Sequence, residues 1–249
     1  MTSKRDRVAA LLGEEISAGR WAPGQRLPTE RELSGKYDCS REVVRGALND
    51  LAEAGHLESI QGGGWYARDV RPLRYPLMSI DAGRLQATED VWHTWVRTEG
   101  RQPGAELTVR LESPPPRVAA LLELEPGELA VARRRVRLVD REPWMVSTGW
   151  WPLWIAAGTP IAEERDMQHP SVLAYAAQIG HPQVRSENEI GARMPTLGEI
   201  TELGTGRGIP VMTMLTTGWE PGGRPLRCTA DVFPTHRFRL VVTHERQEP

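Results

Sequence analysis

The feature that most constrains the fold of this chain is a pair of short helices separated by only a few residues. One helix begins near Thr29, which is placed as its N-cap, with Glu32 in the capping-box position. Residues 35–39 are turn-like, and Ser40 then caps a second helix. The apolar side of that helix carries Val43, Val44, Ala47, Leu48 and Leu51. This arrangement predicts a helix-turn-helix.

The segments on either side complete a small domain. Before the pair, residues 4–19 repeat apolar side chains at helical spacing and end at a glycine. After it, HLESIQGGGWYARD predicts two short strands joined by a glycine turn at 62–64. Three helices followed by a glycine-tipped hairpin predict a winged helix-turn-helix over residues 1–67.

The remainder of the chain has a different pattern. Residues 68–76 are charged and interrupted by proline, which is typical of a linker. Residues 77–249 combine hairpin-linked strands with interspersed helices, which predicts an antiparallel α+β domain. The predicted helices are 85–96, 117–123, 170–179 and 196–203. The predicted strands are 106–112, 129–139, 144–151, 184–194, 211–219 and 225–233.

Composition and charge narrow the class of protein. No stretch reaches the roughly 18 apolar residues that a membrane span needs, and the N-terminus lacks a signal-peptide core, so we expect a cytoplasmic protein. The formal net charge is −2, and the first 74 residues carry 12 Lys and Arg against 11 Asp and Glu. Bulk charge therefore does not attract nucleic acid, and any DNA contact requires local placement of cations.

The sequence indicates neither a metal site nor a catalytic centre. Cys39 and Cys228 are far apart and have no Cys or His neighbour at metal-ligand spacing. The six histidines form no HxxxH or HxH pattern, and no nucleophile–base pair or phosphate-binding loop is evident. We therefore expect no metal, no cofactor and no enzymatic activity.

Three arginines mark the helix pair. Arg41 and Arg45 lie four residues apart on the outer face of the second helix, opposite Val44 and Leu48. The start of the second helix of such a pair enters the major groove, and Arg31 in the preceding helix is placed to reach phosphate. The planar guanidinium suits both guanine edges and phosphates. The alternative is that these are ordinary solvated arginines in an arginine-rich chain.

Two motifs carry a resemblance to a known family. The sequence reads W-A-P-G-Q-R-L-P-T-E-R-E-L over 21–33 and S-R-E-V-V-R-G-A-L over 40–48, followed by the glycine wing. Residues 5–67 thereby resemble the GntR family of bacterial repressors, which implies operator contacts from the matching arginines and the wing glycine. The DNA-binding residues that we predict are Arg31, Ser40, Arg41, Arg45 and Gly63. Val43 stands where a threonine is common in that family.

Strand 129–139 carries three arginines on one face. Side chains alternate along a strand, so Arg133, Arg135 and Arg137 share a side. They either line an anion pocket or belong to a solvated sheet face. Strand 225–233 also has a polar side, which is consistent with a cleft between the two strands. The residues of that polar side are Arg227, Thr229, Asp231 and Phe233.

Four further motifs lie in this half: R-R-V-R-L-V-D-R-E-P at 134–143, H-P-S at 169–171, A-R-M-P-T at 192–196 and G-G-R-P at 222–225. Over roughly 77–243 they resemble the UTRA ligand-binding domain of the HutC subfamily, which is similar to chorismate lyase in fold. The resemblance implies an effector pocket. Carried over by position, the effector-binding residues are Arg135, Arg137, Ser147, Ser171, Arg227 and Phe233.

Three of these positions depart from the family pattern. Ser147 replaces an acidic residue, Arg227 replaces a carboxylate that would accept bonds from sugar hydroxyls, and Phe233 replaces a tyrosine. An ionised carboxylate only accepts hydrogen bonds, so Arg227 reverses that preference and adds a cation. We therefore expect a small carboxylate or other anion with an apolar or aromatic body, rather than an amino-sugar phosphate.

Together these features predict a homodimeric transcriptional repressor that a small anionic effector releases from a palindromic operator. The expected partners are double-stranded operator DNA, the effector and a second copy of the chain, with no membrane. Two other interpretations stay open. One is a DNA-binding protein whose second domain only dimerises, and the other is a lyase-like enzyme fused to a DNA-binding head.

Overall fold

The computed structural model describes residues 3–60, 62–68, 72–76 and 90–242 of the chain. The chain divides into two compact units. The first contains residues up to Pro72, together with Met194–Pro210 and Pro234–Phe238. The second contains Leu73–Arg193, Val211–Phe233 and the residues from Arg239 onward. The domain limits predicted from the sequence, at 67, 68–76 and 77, stay a prediction.

The first unit contains the predicted winged helix-turn-helix. We call this part the winged head; its elements are α1 (Lys4–Ser17), α2 (Glu30–Lys36), α3 (Arg41–Glu53), β1 (Leu57–Ile60) and β2 (Gly64–Ala67). Both predicted caps are present, because the Thr29 side chain accepts from the Glu32 backbone N–H and the Ser40 side chain accepts from that of Val43. The strands pair antiparallel as a hairpin. A common core buries Leu12, Leu33, Val44, Leu48 and Leu57.

The rest of the chain contributes helices and a six-stranded sheet. The elements in chain order are β3 (Leu73–Pro76), α4 (Val91–Thr98), β4 (Pro103–Glu112), α5 (Pro116–Leu121), β5 (Ala130–Val139), β6 (Glu142–Pro152), α6 (Leu153–Ala156), α7 (Val172–Gln178), β7 (Arg185–Arg193), α8 (Leu197–Leu203), β8 (Val211–Trp219), β9 (Pro225–Pro234) and β10 (Phe238–Val241). The strand order of the large sheet is β4-β5-β6-β9-β8-β7, and β10 pairs with β3 in a separate two-stranded sheet.

Two differences from the sequence expectation have local causes. The helix predicted over 85–96 is observed as α4 from Val91, because Asp90 caps it by accepting from the Trp92 backbone N–H; residues 85–89 lie outside the described part. Inside the predicted linker, residues 73–76 form β3, whose partner β10 lies near the far end of the chain. The local sequence around β3 carries no pattern from which its pairing with a strand so distant in the chain could be predicted.

The hairpin of β5 and β6 fixes which side chains share a face of the sheet. Its two-residue turn consists of Asp140 and Arg141, which have φ angles of 52° and 71°. On one face, Val118 and Leu122 pack against a group of small and aromatic side chains of the central strands. The members of that group are Ala130, Ala132, Trp150 and Cys228. The opposite face therefore carries Arg133, Arg135 and Arg137 of β5.

Candidate functional site

A groove in the winged head gathers four arginines. It has a volume of about 300 Å³ and is lined by the starts of α2 and α3 and by the beginning of β2. The arginines are Arg26, Arg31, Arg41 and Arg45. Glu30 is the one acidic residue among the described residues that line it. Such a local excess of cations favours a polyanionic partner although the winged head is nearly neutral overall.

The structure confirms that the predicted recognition-helix arginines project outward. Arg41 and Arg45 are exposed on α3, whereas Val44 and Leu48 on its opposite side are fully buried. Arg31, on α2, is also exposed. The groove therefore brings together the three arginines that the sequence singles out.

Arg45 forms an ion pair with Glu30. Its Nη2 lies 2.9 Å and its Nε 3.1 Å from Oε2 of Glu30. This hydrogen bond is the main cause that lowers the pKa of the Glu30 carboxyl. Because the Arg45 side chain is 64% exposed, the pair contributes little to stability, and a phosphate or base edge can compete for the guanidinium.

Ser40 and Gly63 do not line the groove, although they lie in its supporting elements. The Ser40 Oγ accepts from the Val43 backbone N–H at 3.3 Å, so it caps the recognition helix. Gly63 lies at the tip of the wing, and a Cβ there would meet the Ile60 side chain at 3.0 Å. The next residue, Gly64, lines the groove and has a φ of 101°, which favours glycine.

Sequence reasoning did not select Arg26. This residue forms a β-bridge with Tyr66 of the wing, and a Cβ on Gly64 would lie 3.1 Å from its Nε. The guanidinium therefore packs over the wing backbone and joins the other arginines of the groove. Its position before α2 gives no sign of this, because the bridge to β2 is a long-range contact.

The face of the sheet that carries the β5 arginines contains a polar row across its centre. Arg135 lies opposite Ser147 of β6, and Ser147 lies opposite Asp231 of β9. Directly opposed residues have their Cβ atoms about 4.5–5.5 Å apart, so the three side chains are neighbours. We call these three residues the central row. All three are buried.

Arg133 has a different role from Arg135, although the two are indistinguishable by alternation. The Arg133 side chain is fully buried, and its guanidinium donates to the carbonyl oxygens of Ile161, Glu163 and Arg165 at 2.6–2.9 Å. It therefore fixes a loop to the sheet. The alternative of a solvated arginine face on β5 is wrong, because loops and helices cover this face.

Arg137 and Arg135 are each near one carboxylate. The Arg137 Nη1 donates to Oδ2 of Asp90 at 2.8 Å. Burial alone would raise the pKa of Asp90, but the charge and hydrogen bond of Arg137 outweigh it and the pKa is lowered. For Arg135 the nearest recorded carboxylate is that of Asp166, 3.7 Å from Nε. Burial, together with Arg137 and Arg133, lowers the pKa of Arg135 to about 10.

Arg227 is engaged by protein groups on β9 and beyond it. Its Nε donates to the side-chain oxygen of Gln183 at 2.9 Å, and its Nη1 donates to the Thr229 hydroxyl at 2.7 Å. Burial lowers the pKa of this guanidinium, and the negative charge of Asp231 opposes that effect. Burial also raises the pKa of Asp231. A hydrogen bond with Ser147 and the positive charges of Arg137 and Arg227 act in the opposite direction and lower it.

The two remaining predicted residues occupy structural positions. Ser171 is the N-cap of α7, where its Oγ accepts from the Ala174 backbone N–H at 3.2 Å. Phe233 is fully buried, and its ring stacks on that of Tyr75 with centroids 6.1 Å apart. Burial and the neighbouring Asp231 charge raise the pKa of Tyr75. A tyrosine from β3 thus lies beside the position where the family pattern has one.

Sequence reasoning missed the acidic residues of this site. Asp231 was assigned to the polar side of β9, but nothing local indicates that it is buried beside Ser147. Asp90 and Asp166 lie in segments with no strand pattern, and only the fold brings them to Arg137 and Arg135. The site therefore combines buried cations with carboxylates that range from buried (Asp231) to exposed (Asp166).

Comparison with known families decides the class of protein. The UTRA domain model matches residues 98–239, and the model of bacterial regulatory proteins of the gntR family matches residues 4–67. The first match alone covers more than half of the chain. The chain belongs to the UTRA-containing gntR family. The resemblance stated from the sequence motifs and the α+β fold class are thereby confirmed.

Relatives share the whole architecture. The chain is 26% identical to the mannosyl-D-glycerate transport/metabolism system repressor MngR of Escherichia coli, over 97% of this chain and 95% of that protein. It is 24% identical to the histidine utilization repressor of Pseudomonas putida, over 94% and 89% of the two chains. The crystal structure of PhnF from Mycobacterium smegmatis superposes with a TM-score of 0.61 at 19% identity, covering 96% and 100% of the chains.

This member of the family is therefore a DNA-binding transcriptional regulator with an effector domain, related to repressors of the HutC type. Within the described ranges, no group of three or more His, Cys, Asp or Glu side chains is arranged to hold a metal ion. In the same part of the chain, the helices are all too short or too polar to cross a membrane.

Proposed function

We propose that this regulator is a homodimeric, cytoplasmic repressor that leaves a palindromic operator when a small anionic effector binds on the central row. The winged head supplies the operator contacts, with Arg41 and Arg45 reading base edges in the major groove and Arg31 on phosphate. Ser40 holds the start of the recognition helix, and Gly63 lets the wing approach the minor groove. The effector is bound and not turned over.

The observation that carries the effector proposal is the state of Arg135. The residue is 8% exposed, and its buried Nε has no hydrogen-bond partner among the described residues. The nearest recorded carboxylate is beyond hydrogen-bond distance. Burying a cation with an unused donor costs free energy unless a partner accepts from it, and an anion is the partner that a guanidinium donor prefers. Arg137, two residues along the strand, adds a second positive charge.

The names of the relatives agree with an anionic effector. They connect those proteins with histidine utilization and with the transport and metabolism of mannosyl-D-glycerate. Both compounds carry a carboxylate. A carboxylate is also the kind of group that the buried guanidinium of Arg135 would accept as a partner.

Release requires that the effector favours one state of the protein. An effector that bound the operator-bound and free dimers equally well would not change DNA affinity. The effector therefore binds the DNA-free state more tightly, and operator DNA lowers the affinity for the effector by the same factor. This reciprocity can be measured from either ligand.

A two-step experiment tests the proposal. Operator sites are selected from a random DNA pool with the full-length protein, and their symmetry and half-site spacing are read from the selected sequences. Operator affinity is then followed by fluorescence anisotropy while citrate, gluconate or inorganic phosphate is added. We expect at least one of these anions to weaken binding to the wild type and to have no effect on Arg135→Met.

The same experiment separates the other interpretations. If none of the anions changes operator affinity or the melting temperature, the dimerisation-only interpretation is favoured. If an anion is consumed, as shown by a new product in the mixture, the enzyme interpretation is favoured. Sedimentation of the free protein gives the oligomeric state, and a monomer that binds asymmetric sites would contradict the dimer.

A further inference from the structure

The carboxylate of Asp231 has no described protein partner for one of its oxygens. The residue is 5% exposed, and Oδ1 is a buried acceptor without a hydrogen bond among the described residues. Buried polar atoms are nearly always paired in native proteins, so an orphan acceptor on a candidate ligand face needs an explanation. Burying an unpaired carboxylate oxygen costs more free energy than burying an unpaired oxygen of a neutral group.

The neighbouring cations do not supply the missing bond. The Arg137 Nη1 is used by Asp90, and Arg227 donates to Gln183 and Thr229. Both guanidiniums act on Asp231 through their charge. Of the ion pairs recorded within the described ranges, none includes Asp231.

The surroundings select the kind of donor that fits Oδ1. An ionised carboxylate only accepts, so the missing partner must donate. An ammonium group would be attracted by Asp231 but repelled by Arg137 and Arg227, whose charges already act on that carboxylate. A hydroxyl donates without adding charge. The site therefore discriminates in favour of a neutral hydroxyl.

We propose that Asp231 is a specificity-determining residue that selects effectors carrying a hydroxyl group beside their anionic group. This rests on the proposed function, since Arg135 holds the anion at the other end of the central row. Ser147, between the two, lies directly opposite Asp231 on the neighbouring strand. Arg227 is engaged by protein groups, and on this proposal the carboxylate that accepts from effector hydroxyls is Asp231, four residues later.

Three probes of equal chain length test the proposal with the full-length protein. Gluconate offers hydroxyls at every spacing from its carboxylate, hexanoate offers none, and 6-aminohexanoate offers an ammonium. Calorimetric titration of the wild type should give at least about tenfold tighter binding of gluconate than of either other probe, since one hydrogen bond to a charged group is worth about that factor. Asp231→Leu, which is close in size but cannot accept a hydrogen bond, should reduce the preference for gluconate to about twofold or less.

Glu189→Gln is the control. It removes an exposed carboxylate of the same sheet, which pairs with Arg117 and lies outside the proposed effector site, so the preference for gluconate should persist. The melting temperature of each variant shows whether it is folded. If Asp231→Leu fails to fold, Asp231→Asn replaces it, because one amide rotamer turns a donor toward the hydroxyl and should also lower the preference.

The possible failures are distinguishable. Equal binding of gluconate and hexanoate, tighter binding of 6-aminohexanoate, or an unchanged preference in folded Asp231 variants would overturn the role of Asp231 while leaving the anion site intact. If none of the probes binds the wild type, or if Arg135→Met binds them as well as the wild type does, the proposed function and this inference both fail.

Discussion

The arginines of the winged head and those of the sheet obey opposite rules. In the winged head, Arg31, Arg41 and Arg45 are exposed, and the recorded ion pair among them is with a side chain at the surface. In the sheet, Arg133 and Arg135 are buried. Each donor of a buried guanidinium needs a specific hydrogen-bond acceptor, such as the Ile161 carbonyl oxygen that accepts from Arg133. Solvated cations are sufficient to bind a long polyanion such as DNA, because it carries many charges and releases its condensed counterions on binding. A small ligand must be met by a dry site in which each bond matters.

The largest expected effect is a difference in stability between variants of Arg133 and Arg135, two arginines of β5. Arg133→Met leaves one buried and two partly buried carbonyl oxygens without this donor and should lower the free energy of unfolding by about 3–5 kcal/mol. Arg135→Met removes a buried cation that lacks such bonds, and it should change the free energy by less than about 1 kcal/mol. Urea unfolding followed by tryptophan fluorescence measures both. Equal losses would show that Arg135 is structural too.

The next effect concerns base reading in the winged head. Arg41→Ala should weaken operator binding by about 1–3 kcal/mol and relax the preference at one base pair, because a bidentate guanine contact is worth that much. The exposed side chain contributes little to folding, so the melting temperature should stay within about a degree. Anisotropy on the selected operator and its single-base variants measures this. Unchanged affinity would remove α3 as the recognition helix.

A stability change of intermediate size is expected at Asp231. Burial raises its pKa in the folded state, so the ionised carboxylate destabilises the protein at neutral pH. Asp231→Asn should therefore raise the free energy of unfolding by about 1 kcal/mol at pH 7. The gain should shrink as the pH falls through the raised pKa, where the wild-type carboxyl is itself protonated. A gain that is constant with pH would assign the effect to packing.

A smaller effect distinguishes phosphate contacts from base contacts. Arg31→Gln and Arg26→Gln should each weaken binding to all DNA sequences alike and reduce the slope of log affinity against log salt by about 1. The Arg26 variant checks the residue that the sequence did not indicate. Anisotropy from 50 to 300 mM salt gives the slopes. Loss of discrimination between bases, with an unchanged slope, would place either arginine on a base edge.

The smallest effect should come from the exposed ion pair. Glu30→Gln removes the partner of Arg45, yet the free energy of unfolding should change by less than about 0.5 kcal/mol because the pair is solvated. Thermal unfolding of the variant measures this, with Asp50→Asn, which breaks the exposed pair with Arg5 on the same domain, as a comparison. A loss above 1 kcal/mol would mean that surface pairs matter more in the winged head than exposure indicates.

Local signals in the sequence were sufficient for most elements. Capping residues Thr29 and Ser40 and the apolar spacing of α3 placed the helix pair, because caps and periodicity act within a few residues. Alternation placed β5 and the shared face of its arginines. What alternation could not show is that Arg133 meets the carbonyls of a loop near residue 163 while Arg135 does not. That distinction depends on where a distant loop packs.

The same limit explains the missed residues of both sites. Arg26 becomes part of the groove through its bridge to Tyr66, and Asp90 becomes a partner of Arg137 across 47 positions. The importance of Asp231 depends on burial and on an absent partner, neither of which a strand pattern contains. Residue types and faces are local properties, whereas the completion of hydrogen bonds is a property of the fold.

The two-residue turn at Asp140 and Arg141 has a consequence for how such regulators diverge. Because neighbouring residues of a strand face opposite ways, the length of that turn and the extra residue at Trp144 decide whether Arg135 lies opposite Ser147 or opposite one of its neighbours. Gain or loss of one residue at this hairpin would shift β6 along β5 and place Val146 or Thr148 opposite Arg135 in a single step. A substitution changes one side chain of the proposed effector face, whereas an insertion here would replace every β6 side chain on that face at once.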